Sequence, residues 1–77
     1  MKEISKELFY KIIVDNNLDV VVSCELTTHE IISFFKFRNR LLFGKVVEDR
    51  LSRCYPLIEK YYISEYCYEK YNVEKNE

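Results

Sequence analysis

A chain of 77 residues with a formal charge of −1, 48% hydrophobic and 32% charged, fits one small globular domain and is too apolar to stay disordered. No apolar run approaches the length of a membrane span. The start, MKEISKELFY, mixes acids with lysines and lacks the apolar centre of a signal peptide. An intracellular location is therefore expected, cytoplasmic, or in the host cytoplasm for a viral protein.

In chain order, Ser5 to Val14 reads as a first helix. Leu8, Phe9, Ile12 and Ile13 fall on one stripe, with Lys6, Glu7 and Lys11 outside it. Asp15-Asn16-Asn17 stops it, because asparagine tolerates the left-handed conformation that ends helices. Val20-Val21-Val22 is β-branched and suits a brief strand. Leu26 to Cys54 then reads as two helices. Thr27 and Glu30 make a capping box, and Leu26 and Ile31 make a hydrophobic staple. This predicts a second helix from Thr27 to about Phe37, or as far as Leu42. The only glycine, Gly44, precedes a third helical pattern in which Val47, Leu51 and Cys54 share one face. Pro56 ends that pattern.

The segment LIEKYYISEYCYEKYNV predicts a β-hairpin turning at Ser64-Glu65. That register pairs Lys60 with Glu69 and Glu59 with Lys70. The competing expectation is a fourth helix with Leu57, Tyr61 and Ser64 on one side. Order is expected from about residue 4 to residue 73 in a single domain, with Glu74 to Glu77 as a frayed tail.

Charge is unevenly spread along the chain. From Lys36 to Arg53 there are six basic residues and two acids, while the remaining 59 residues hold six basic and eleven acidic. Such a basic block gives a directional field that favours a polyanionic partner. Cys24, His29, Cys54 and Cys67 have no finger or ribbon spacing, so the cysteines read as small hydrophobes and no metal is expected. With one histidine, one glycine and no nucleophile–base pair at recognisable spacing, neither enzyme activity, cofactor nor small-molecule substrate is expected. The tyrosines, seven of twelve aromatics, are expected to pack the hairpin or a dimer interface rather than to stack bases.

The order helix, short strand, helix, turn, helix, hairpin resembles a winged helix-turn-helix domain from about Ser5 to Val73. The resemblance is carried by ELTTHEI at the start of the second helix and by GKVVEDRLSRC followed by LIEK at the third helix and first wing strand. It implies an α+β fold of three helices, a short strand and a C-terminal β-hairpin wing, like that of small prokaryotic, archaeal or viral transcription regulators. The richness in Lys, Asn, Ile and Tyr is compatible with an AT-rich viral or mobile-element genome. The resemblance also implies sequence-specific binding of double-stranded DNA by the third helix in the major groove. On that helix Lys45, Asp49, Ser52 and Arg53 face outward with Glu48 and Arg50 at the flanks, and Arg38 and Arg40 add cations just before it. Asp49 and Glu48 repel phosphate, which favours a homodimer summing two weak half-sites. The alternative is a winged-helix module that binds protein, such as a viral inhibitor or a complex subunit.

Overall fold

A computed structural model of the chain describes residues 1–50 and 58–71. In order these form β1 (Lys2–Ile4), α1 (Lys6–Asp15), β2 (Val20–Leu26), β3 (Glu30–Phe37), β4 (Leu42–Asp49), β5 (Glu59–Ile63) and α2 (Glu65–Lys70). The strands make one antiparallel sheet in the order β1-β5-β4-β3-β2. The fold is mostly β, one five-stranded antiparallel sheet with two short helices among the described residues, and this overturns the expected α+β winged helix of three helices.

The first helix stands where the sequence puts it. Ser5 caps it, its hydroxyl accepting from the Leu8 N–H at 3.2 Å. At the other end Asn17 has φ 49°, the Asn17 N–H donates to the Val14 carbonyl, and the Leu18 N–H donates to that of Ile13. Those two bonds define a Schellman stop, which an L-residue other than asparagine or glycine tolerates poorly. Leu8, Phe9 and Ile12 go down onto the sheet.

The predicted second and third helices are strands β3 and β4. Thr27 does make the capping-box contact, its Oγ1 accepting from the Glu30 N–H at 2.7 Å. Here that bond closes a hairpin rather than opening a helix. Thr27 N–H also donates to the Glu30 carbonyl, leaving Thr28 and His29 as a two-residue turn between β2 and β3. The strand beyond this turn, EIISFFKF, consists largely of β-branched and aromatic side chains, which lose rotamer freedom in a helix and fit a pleated surface. The expected third helix does not form at Val47, which lies in β4. Val46, not Val47, enters the core, and Leu51 and Cys54 lie outside the described residues.

The predicted wing is half strand and half helix. Residues 59–63 pair on one side with β4 and on the other with β1, so both edges of β5 are already taken and no hairpin partner can add to it. The chain turns at Ser64, whose hydroxyl accepts from the Cys67 N–H at 3.3 Å and caps α2, with Glu65 in the first turn to complement the helix dipole. The competing prediction of one helix through Leu57, Tyr61 and Ser64 fails for the same reason, since Tyr61 is in the sheet.

The core lies between one sheet face and the helices. Phe9 is its centre, with ring centroids 5.2 Å from Phe35, 5.2 Å from Phe43 and 5.5 Å from Tyr61. Ile63 and Cys67 are also fully buried. A register shift between β3 and β4 leaves Phe43 as an extra residue between Gly44 and Leu42, a bulge that swings its ring inward. The molecule measures 36 × 28 × 19 Å, and the short dimension is that of one sheet and one helical layer. Nothing among the described residues covers the other face.

Candidate functional site: the uncovered sheet face

Strand pairing fixes which side chains share the uncovered face. Residues directly opposite one another point the same way. One row across the sheet is therefore Ser23, Phe34, Lys45, Tyr62 and Glu3. The next is Glu25, Ile32, Val47 and Lys60. Beyond it Glu30 lies opposite Asp49, whose N–H donates to the Ile58 carbonyl.

These rows enclose a shallow groove of about 220 Å³. Its floor is Ile32, Val47 and Tyr62, with Ile58 at one end, and its rim carries Lys45 and Lys60 against Glu30 and Asp49. Phe34 continues the apolar floor toward β2. Lys45 Nζ stands 5.2 Å from the Tyr62 ring centre and Lys36 Nζ stands 6.0 Å from that of Phe34, so each ammonium is held by an aromatic face. The groove thus combines half-buried apolar and aromatic surface with equal numbers of cationic and anionic groups. It is too open to enclose a metabolite.

The expected DNA-binding residues do not converge on this groove. Lys45 and Asp49 line it. Arg38 and Arg40 lie instead at the β3–β4 turn, where they and Lys36 border a separate depression of about 350 Å³ beside Val21 and Ser23 of the edge strand β2. Arg38 there pairs with Asp19 at 2.5 Å, both side chains largely exposed, a bond of little energetic weight. Arg50 is at the far end, its Nη1 donating to the Thr27 carbonyl and its N–H to the His29 carbonyl. Ser52 and Arg53 fall outside the described residues. Among the described residues the basic block is therefore split, with Lys36, Arg38 and Arg40 at one corner, Lys45 on β4 and Arg50 just past its end.

Ile32, Phe34, Val47, Lys60 and Tyr62 were not singled out from the sequence as site residues. The signal for them was the β-type composition of EIISFFKF together with the pleat of EKYYI, which sends Tyr61 inward and Tyr62 outward.

The tyrosines divide by element. Tyr61 is buried, its hydroxyl donating to Glu59 Oε2 at 2.6 Å. Tyr68 and Tyr71 pack against the core, and Tyr66 is exposed. Burial, and then the hydrogen bond and charge of Glu59, push the Tyr61 phenol well above its ordinary range. Burial likewise raises the Cys67 thiol, although Ser64 and Lys70 oppose this. Cys67 is a protonated core residue, while Cys24 is exposed on β2 with its Sγ 3.3 Å from Ser33 Oγ. No group of three or more His, Cys, Asp or Glu side chains among the described residues is placed to hold a metal ion. No helix among them is long and apolar enough to cross a membrane.

The described residues thus form a mostly β, two-layer unit in which two short helices lie on one face of an antiparallel sheet and the other face is open. Comparison with family models, with curated proteins and with solved structures gives no match.

Proposed function

We propose that this protein is a polypeptide-binding module whose uncovered sheet face receives a partner protein. The observation that carries the reading is the make-up of the groove: an apolar and aromatic floor rimmed by Lys45 and Lys60 on one side and by Glu30 and Asp49 on the other. A polypeptide supplies apolar side chains and both signs of charge, so it can match a rim that itself carries both signs, while wrong partners meet like charge. A nucleic-acid backbone supplies one sign only. Bringing phosphates over Glu30 and Asp49 costs what Lys45 and Lys60 return, and no helix among the described residues has a continuous cationic face to enter a groove of the duplex.

The test is a photo-crosslinking amino acid placed at Val47, with a control at Lys11 on the outer side of α1, in cells expressing the full chain. The expected result is a discrete protein adduct from position 47 alone, competed away by unlabelled wild type but not by Val47→Asp that retains the wild-type circular dichroism. Polarisation titrations with duplex and single-stranded oligonucleotides at low and high salt should show no salt-sensitive binding. Tight oligonucleotide binding that weakens steeply with salt, with no protein adduct at position 47, overturns the reading.

A further inference from the structure

The two edges of the sheet are unlike. On one side β1 has only three residues, Lys2–Ile4, too short to template much pairing. On the other, β2 has seven residues, VVVSCEL, bonded among the described residues to β3 along one side only. Thr27 N–H bonds the Glu30 carbonyl, and antiparallel bonding alternates from there. Val21, Ser23 and Glu25 therefore turn their backbone groups to β3, while Val20, Val22, Cys24 and Leu26 turn theirs outward. Among the described residues this edge has few of the devices that protect natural edges, since β2 holds no lysine, no proline and no bulge, and Glu25 is its single charge. Its apolar side chains stand out as well, with Val22 50% and Leu26 70% exposed.

We infer that β2 pairs antiparallel with β2 of a second copy about a two-fold axis at Ser23, joining two sheets into one. The argument for a second copy is that the strand complements itself in this register and in no neighbouring one. With Ser23 opposite Ser23 of the other copy, Val20 faces Leu26 and Val22 faces Cys24 on the helical side, and all seven residues overlap. On the uncovered side Glu25 of the second copy comes opposite Val21. That position lies beside the depression of about 350 Å³ bordered by Lys36, Arg38 and Arg40, where Asp19 already takes up Arg38 and Lys36 and Arg40 are the cations that meet the incoming carboxylate. By symmetry the same occurs on the other half of the interface. Slipping the register by two residues sets Glu25 opposite Asp19 in one direction, like against like, and opposite Ser23 in the other, away from the cations. Ordinary peptides can also add to a free edge, but charge and side-chain size here fit the strand's own reversed sequence.

The experiment is sedimentation equilibrium of the full chain over a concentration series, with two edge variants and two cysteine variants. Wild type should shift from monomer to dimer mass as concentration rises. Val22→Pro removes an outward N–H without touching the β2–β3 ladder, and Cys24→Lys places a charge on the edge. Each should stay monomeric with unchanged circular dichroism, and if the proline variant unfolds, Cys24→Lys decides alone. Opposed residues in the non-hydrogen-bonded class sit close enough for a disulfide. In a Cys24→Ser background, Ser23→Cys should therefore oxidise to a covalent dimer while Val21→Cys does not. A monomer mass at every concentration overturns the inference. So does a dimer that survives both edge variants, or cross-linking through position 21 in place of 23. The Val47→Asp variant, on a different surface, should dimerise as wild type does, which separates this outcome from that of the groove.

Discussion

Single residues decide how closely the layers approach. At Gly44 a Cβ atom would lie 2.9 Å from the Phe9 ring carbon Cε2 and closer still to the Tyr62 carbonyl. Glycine is required there because the β5 backbone at Tyr62 and the Phe9 ring of α1 together leave no room for a Cβ. Gly44→Ala should destabilise the fold by about 1–3 kcal/mol, the usual cost of overpacking a tight core, measured as a lowered denaturation midpoint. Tyr61 and Cys67 set the alkaline limit. Both are acids whose protonated form the fold favours, so their contribution is fully present below the ordinary pKa values of 10.0 and 9.0. It is lost as pH rises from those values through the raised folded ones. The melting temperature should therefore fall above pH 9, and Tyr61→Phe should flatten the steeper part of that fall above pH 10. A profile unchanged by Tyr61→Phe would mean that the buried phenol titrates normally.

Among the elements, the β3–β4 hairpin carries visible strain. Arg40 has φ 68°, at the position after a turn where Arg40 N–H donates to the Phe37 carbonyl and Phe37 N–H to that of Leu41. This three-residue loop ordinarily takes glycine at its left-handed position. Arg40→Gly should stabilise the monomer by about 1 kcal/mol while weakening dimerisation through the lost cation, two readouts that move in opposite directions. Capping side chains, too, act at the level of the element. Ser5 and Ser64 each cap a helix. Thr27 makes the same side-chain bond but leads into a strand. A capping side chain satisfies an N–H wherever the chain turns tightly. Whether a helix grows from that turn depends on the next residues, and Leu-, Ala- and Glu-rich continuations differ from EIISFFKF in rotamer entropy.

For the whole molecule, sheet order and symmetry predict a pattern of amide exchange. In dilute solution the amides of Ser23 and Glu25, bonded to β3, should be protected, and those of Val22 and Cys24 should exchange freely. In concentrated solution all four should be protected. Equal exchange of the alternating amides at every concentration would contradict the edge geometry. The sequence by itself determined the first helix, its stop within Asp15-Asn16-Asn17 and the stripe that turns Leu8, Phe9 and Ile12 inward. It also determined that Val20 to Val22 is extended and that charge concentrates after Lys36. These rest on contacts within a few residues, which the chain order contains. Only the tertiary structure decided that Glu30 to Asp49 is two strands, that residues 65–70 are a helix, and that Lys45 and Tyr62 share an open face while Lys36, Arg38 and Arg40 share a corner. A half-apolar segment such as EIISFFKF can bury its rings in either geometry. The choice falls to strands because Phe9 needs Phe35, Phe43 and Tyr61 around it at once, and those residues meet only when four distant segments lie side by side.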